Sequence, residues 1–207
     1  MEQVLDVYKR PYDEDFPVVC MDESPEQLIE TVREEKMEPG KDKRIDYEYI
    51  RHGVVNIFIA NEPLKGRRLV EVTEFKTKKD WAKFIKRLAC EMYPQARKIT
   101  LVMDNFKTHS IGAFYEAFEP VEAKRLIDRF EFVFTPKHGS WLNMAEIELH
   151  ILNSQCLNRY IATVKEIQQE VKAWQEQRNN KNAKINWRFT TTDARIKLKR
   201  LYPSFYN

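Results

Sequence analysis

The sequence has little glycine, little cysteine and no long apolar run. Five glycines and nine prolines in 207 residues exclude a collagen-like or low-complexity chain. No segment approaches the roughly 20 consecutive apolar residues of a membrane span. The first twenty residues are acidic and contain no apolar signal-peptide core, so a cytoplasmic protein without a membrane partner is expected. Cys20, Cys90 and Cys156 are odd in number, far apart and set in apolar patterns; they read as reduced core thiols, not a disulfide framework. His52, His109, His138 and His150 show no zinc-ligand spacing. What remains is 43% hydrophobic and 12% aromatic, enough for a real core. The length fits a single domain over residues 1–207, with an acidic lead-in at 1–15 and a basic, helical C-terminal extension over 160–207.

A net charge of +3 conceals an asymmetry. Residues 1–40 carry twelve acidic and four basic side chains. Residues 178–200 carry eight basic side chains (Arg178, Lys181, Lys184, Arg188, Arg195, Lys197, Lys199 and Arg200) against Asp193 alone. A second basic stretch holds Lys76, Lys78, Lys79, Lys83, Lys86 and Arg87. Either stretch alone reads equally well as a solvated face. Beside a carboxylate cluster of metal-binding type, the two together favour a polyanionic partner, because Lys and Arg release counterions from nucleic acid.

Phe16–Met21 reads as a buried strand and residues 23–51, charged and proline-bearing, as a loop or small excursion. Val54–Ala60 and Arg67–Glu74 read as strands joined by Asn61–Gly66 into a hairpin. Trp81, Phe84, Ile85, Leu88, Ala89 and Met92 share one helical face, begun at Thr77 or Lys78 and ended by Pro94. Ile99–Met103 is a short aliphatic strand, 111–130 one or two helices broken near Pro120, and Glu131–Phe134 another strand. Ser140 is a candidate cap for a helix with Leu142, Ala145, Leu149, Leu152 and Cys156 on one stripe. Val164, Ile167, Val171 and Trp174 mark a later helix, and Thr192-Asp193 a short basic one. The order β-β-β-α-β-α-β-α-α predicts an α/β fold: a mixed five-stranded sheet with helices on both faces.

Three carboxylates stand out. Asp22 ends the run Phe16–Met21 and Asp104 ends Ile99–Met103, placing both at strand carboxyl ends, where open α/β sheets hold their chemistry. Glu146 lies four residues after Leu142 and three before Leu149, bordering an apolar stripe, and glutamate is almost never buried unless paired or bound to metal. Glu148 competes, but points about 160° further round with no apolar partners at helical spacing. Two carboxylates about 4 Å apart repel by ~4 kcal/mol at an effective dielectric near 20; a divalent ion removes that cost. Oxygen-only ligands suit magnesium or manganese over zinc, and a pair of such ions clamps the attacking and leaving oxygens of a phosphodiester. A lone Asp after a strand is also a common turn or cap residue. That alternative bears most on Asp22, which Glu23 and Ser24 continue as a polar stretch, and least on Asp104, which opens a polar set with Asn105, Thr108 and His109.

His109 reads as a donor behind the carboxylates or a phosphate contact, and equally as a helix-entry histidine. Lys137 and His138, on a Gly-containing loop before the Glu146 helix, are candidate phosphate contacts. Trp141 reads as a packing residue or a base-stacking one. Asn143 reads as a loop or first-turn hydrogen-bonding residue.

Met103-Asp104-Asn105 with His109, and Thr135 through Glu146 (TPKHGSWLNMAE), resemble the DDE transposases of bacterial insertion sequences related to the mariner superfamily. The Leu142-Asn143-x-x-Glu146 segment is similar to the motif that holds the third acid there, and Val19–Glu23 resembles the first-acid strand. The resemblance runs on to Ile185–Thr190 and the basic end, with Arg188, Lys197, Lys199 and Arg200. It implies a ribonuclease-H-like fold with Asp22, Asp104 and Glu146 as catalytic and metal-binding acids. The implied reaction is nicking at element ends followed by attack of the freed 3′-hydroxyl on target DNA. It also implies a nucleoid-associated protein, a homodimer in the active complex, and DNA as partner at both element ends and target. Full-length relatives carry N-terminal helix-turn-helix domains; Asp22 arrives too early for one, so the chain is expected to be the catalytic domain alone, with a separate helix-turn-helix polypeptide as a further partner. Two other readings stay open: a general nuclease of the same fold, and a non-catalytic DNA-binding or dimerising remnant.

Overall fold

The computed structural model describes residues 1–32, 48–104 and 110–202. Asn105 and His109 lie outside the described residues. A five-stranded mixed sheet runs in the order β3-β2-β1-β4-β5, from β1 (Val18–Thr31), β2 (Tyr49–Glu62), β3 (Arg67–Thr73), β4 (Ile99–Met103) and β5 (Phe130–Phe134). β1 pairs antiparallel with β2, and β2 with β3; β1 pairs parallel with β4, and β4 with β5. The mixed sheet with helices on both faces is as the element order requires.

Alternation along the strands sorts the core into two layers. Cys20, Ile57, Ile59, Val102 and Val133 face one layer. There they meet Val4, Leu5 and Val7 of α1 (Glu2–Tyr8), Ala145, Leu149 and Leu152 of α5 (Ala145–Leu152), Ile167, Val171 and Trp174 of α6 (Val164–Asn180), and Ala194 of α7 (Thr191–Lys197). Val19, Met21, Phe58, Ala60, Leu101 and Met103 face the other. That layer is closed by α2 (Lys78–Arg87) with its π-turn Leu88–Met92, α3 (Gly112–Ala117) and α4 (Pro120–Ile127).

Local chemistry explains most boundaries. Thr77 and Asp80 form a reciprocal capping box at the start of α2, and Pro120 sits at the first position of α4, dividing the 111–130 segment into two helices. Thr190, not Thr192, caps α7, with Asp193 closing the box. Ser140 opens a 3-10 turn (Ser140–Leu142) and gives α5 no side-chain cap; the Asn143 Oδ1 accepts the Ala145 N–H instead, at 3.1 Å.

Two sequence expectations are corrected. β1 does not stop at Met21: it continues as a hairpin arm against β2 to Thr31, through a stretch whose Glu23, Ser24, Pro25 and Glu26 look like a turn. Parallel pairing with β4 ends at Cys20, so beyond it β2 is the strand partner of β1 among the described residues, and Pro25 interrupts no second ladder. The acidic first fifteen residues are more than a lead-in. Val4, Leu5 and Val7 of α1 are at most 2% exposed, and the Tyr8 hydroxyl donates to the Leu142 carbonyl at 2.7 Å. Arg10 then pairs with Glu131 at 2.8 Å. Leu5→Ala should therefore cost about 2–5 kcal/mol, as a fully packed core position does. Urea denaturation checks this, and a loss under about 1 kcal/mol would mean α1 is peripheral.

Candidate active site

The β1–β4 register sets the site. Val18 lies opposite Thr100, Val19 opposite Leu101 and Cys20 opposite Val102. Continuing that register by two residues brings Asp22 level with Asp104. Cys20 and Val102 both face the α5 layer, and side chains two apart share a face, so both aspartates point to the side that α5 covers. Asp22 therefore sits within a strand, at the point where its parallel partner ends; Asp104 directly follows β4, where the Thr135 N–H donates to the Met103 carbonyl at 2.9 Å. Glu146 occupies the first turn of α5, half-exposed.

The electrostatics set Asp22 among like charges. Burial pushes the Asp22 carboxyl up to about 7. The Glu23 N–H, donating to Asp22 Oδ1 at 2.8 Å, opposes this, and the negative charges of Asp104, Glu23 and Glu146 add to it. This is the mark of a buried carboxylate among like charges. The Asn143 Nδ2 also approaches Asp22 Oδ2, at 3.4 Å. Among the described residues, no three His, Cys, Asp or Glu side chains are gathered closely enough to enclose a metal ion. The donor chemistry of these acids nonetheless fits a hard divalent cation, since all are oxygen ligands and their mutual repulsion is what such an ion relieves.

Burial divides the two glutamates of α5 differently from what their spacing to the apolar stripe suggests. Glu148 is the fully buried one. Arg68 Nε lies 3.1 Å from its Oε2, and Arg178 Nη2 donates to its Oε1 at 2.9 Å. Arg68, itself 2% exposed, also donates to the Ala183 carbonyl at 2.7 Å. Glu148 is thereby committed to holding α5 against β3 and α6. Its partners lie 80 and 30 positions away in sequence, so no local pattern reveals them.

The remaining candidates spread out. Lys137 and His138 are exposed in a turn closed by the Gly139 N–H on the Pro136 carbonyl, with His138 in a left-handed conformation at φ 61°. Trp141, 44% exposed, meets Phe189 edge-on at 5.7 Å; the Lys197 ammonium lies over that same Phe189 ring, at 5.8 Å. Arg188, Lys199 and Arg200 are exposed and belong to no ion pair among the described residues. The Lys76–Arg87 stretch differs: Lys76 pairs with Glu23, Lys78 with Glu116, Lys86 with Glu122, and Arg87 with Glu71 and Glu91. Much of its charge is balanced at home, which favours the solvated-face reading there.

A family model described as DDE superfamily endonuclease matches residues 17–168. Among solved structures, the chain is similar to that described as the Mos1 mariner paired end complex with Mn, at TM-score 0.57 and 13% identity, over 88% of this chain and 56% of that one. The Mos1 transposase paired-end complex with left transposon end gives a TM-score of 0.45 at 14% identity, over 88% of this chain and 58% of that one, too low to add to the comparison. The chain thus spans a little over half the length of these structures. The likeness establishes the fold, a ribonuclease-H-like mixed sheet. No curated protein matches the chain. Among the described residues, no helix is long and apolar enough to cross a membrane.

Two outcomes are expected for the protein without metal. The Asp22 carboxyl, near 7 when folded, lies above its ordinary 3.8. Between those values the folded state holds more protons than the unfolded one. The stability Asp22 contributes is therefore full below about pH 4 and lost as pH rises through about 7, with a ceiling of roughly 4 kcal/mol. Asp22→Asn should be more stable than the parent at about pH 8 and show a flatter profile from roughly pH 5 to 8 in denaturant titrations; an unchanged profile would contradict the burial. Glu148→Gln should lose about 3–5 kcal/mol, because it strands the buried Arg68 guanidinium and removes the partner of the half-buried Arg178; melting curves read this directly.

Proposed function

This chain belongs to the DDE superfamily endonucleases, and on that premise we propose that it is the catalytic domain of a transposase. It would cleave DNA strands at element ends and join the freed 3′-hydroxyl to target DNA. The observation that carries the reading is the parallel register of β1 with β4, which, continued two residues beyond Cys20 and Val102, would set Asp22 level with Asp104 on the face where α5 begins with Glu146. Asp22, Asp104 and Glu146 would hold magnesium or manganese, two ions in all. Bound there, such ions supply a nucleophile at neutral pH and stabilise the leaving oxygen of a phosphodiester. The Mos1 complex that shares the fold is described with Mn, which supports the choice of ion.

The protein's own share is binding and orientation. β1 and β4 would hold two carboxylates at a common level, and α5 would bring the third. Arg188, Lys199 and Arg200, exposed and without acidic partners among the described residues, would hold phosphates, with Lys137 and His138 on the turn leading to Glu146. Trp141 and Phe189 offer ring faces beside them. Contacts of this kind position a duplex but carry no sequence information. Recognition of terminal repeats would fall to a separate helix-turn-helix polypeptide or segment, and a homodimer would bring two DNA ends together. The Mos1 paired-end description supports the last point.

The reading is tested by nicking and strand transfer on a supercoiled plasmid. Activity should require Mg2+ or Mn2+. Asp104→Asn and Glu146→Gln should each lower it about a hundredfold or more while leaving the fold intact by circular dichroism. Undiminished metal-dependent nicking in both variants would rule out the assigned acids. In a duplex-binding titration, log affinity should fall with log salt at about −0.9 per phosphate neutralised. Replacing Lys199 and Arg200 by Ala should flatten that slope by about two such increments on repeat and scrambled duplexes alike.

A further inference from the structure

Asn143 is 1% exposed and touches both halves of the site. Its Nδ2 donates to the Met21 carbonyl at 2.8 Å and approaches Asp22 Oδ2 at 3.4 Å. Its Oδ1 accepts the Ala145 N–H at 3.1 Å, and its backbone carbonyl accepts the Glu146 N–H, also at 3.1 Å. One residue therefore links the strand bearing Asp22 to the first turn of the helix bearing Glu146. We propose that Asn143 is the positioning residue that fixes the Asp22 carboxylate relative to Glu146, and so sets the affinity of the site for its divalent cation. This rests on the metal-binding role assigned to those acids above.

The chemistry of the side chain supports the assignment. Two acceptors, the Met21 carbonyl and the Asp22 carboxylate, lie on one side of the amide, and a donor, the Ala145 N–H, on the other. Only one orientation of the amide satisfies both sides, so its donor and acceptor ends are fixed by the partners. Parallel pairing of β1 with β4 stops at Cys20, and Asn143 takes up the Met21 carbonyl just past that end. An aspartate of the same shape would set an acceptor against two acceptors. A serine keeps a short oxygen able to cap α5 and leaves the backbone link to Glu146 intact, but cannot span to β1. Groups that orient metal ligands in this way commonly govern metal affinity by about 10–100-fold.

The test is the rise in melting temperature with added Mn2+, a readout independent of cleavage. The parent chain should show a saturable rise. In Asn143→Ser the Mn2+ concentration at half-effect should increase by about 10–100-fold, and in Asn143→Asp it should also move away from the parent value. Leu152→Ala, which truncates a fully buried residue at the far end of α5, should lower the metal-free melting temperature without moving that concentration. If Asn143→Ser behaves like Leu152→Ala, less stable with an unchanged Mn2+ response, Asn143 is a structural residue only and the inference is overturned. If the parent shows no Mn2+ response while still melting cooperatively, the metal-site reading itself fails, an outcome distinct from the first.

Discussion

The structure depends on one short stretch of backbone pairing, the parallel ladder between Val18–Cys20 and Thr100–Val102. It joins an antiparallel half, β1-β2-β3, to a parallel half, β4-β5. A parallel pair needs a long crossover connection, and here the chain between β3 and β4 supplies it as α2, packed on one face. The ladder also fixes which residues end up side by side. Because side chains alternate with a period of two, a register slip of one residue would turn Asp22 to the opposite layer from Asp104 and bury its charge against α2. The hydrophobic faces forbid that slip: Val19, Met21, Leu101 and Met103 all belong to the α2 layer, and Cys20 and Val102 to the α5 layer. Core packing thus sets the level of the two carboxylates.

The third acid is held by a different force. α5 is only eight residues long, too short to be stable through its own hydrogen bonds. It is pinned by apolar contacts from Ala145, Leu149 and Leu152, and by the ion cluster of Glu148 with Arg68 and Arg178. A buried ion pair is weak evidence for net stability, but removing one partner is expensive. The cluster therefore acts as a register pin: sliding or rotating α5 would part Glu148 and Arg68, both buried, from their ion-pair partners. The α5 end of the sheet is further braced by α1, whose Tyr8 donates to the Leu142 carbonyl and packs its ring at a tilt against Trp187 at 5.2 Å.

The elements legible in the sequence are those whose pattern is local. The α2 stripe, Ile99–Met103 and the β2–β3 hairpin carry uninterrupted periodicity between clear stop signals. So does the acid after each strand-like run, which is why Asp22 and Asp104 stand out from the order of residues alone. The illegible parts draw their reason from distant residues. The second half of β1 runs on past the end of β4 through polar residues, and its pairing is set by β2, distant in sequence. α1 mixes Glu2 and Asp6 with Val4, Leu5 and Val7, and only the sheet it packs against shows that the apolar set is a core face. The burial of Glu148 depends on arginines from β3 and α6, so the rule that buried glutamates need partners holds for the glutamate that the local pattern does not single out.

Charge distribution also constrains how a polyanion could approach. Asp104, Glu23 and Glu146 add to the cost of ionising Asp22, and carboxylates that repel one another repel a phosphate as readily. Attraction must come from elsewhere on the surface. The Lys76–Arg87 stretch contributes less than its sequence suggests, since carboxylates of β1, β3, α3 and α4 and of its own helical run lie against it. Among the described residues, positive charge without acidic partners is found at Arg188, Lys199 and Arg200; Lys197, 3.9 Å from Asp193, lies over the Phe189 ring that Trp141 meets. Trp141 belongs to the 3-10 turn that leads through Asn143 to Glu146. The basic end of the chain is thereby tied to the α5 entrance of the acidic site. In the proposed function, long-range attraction and the chemistry of the carboxylates would be carried by separate residues on adjoining surfaces, and a cation at the acids is what would let a phosphate pass from the first to the second.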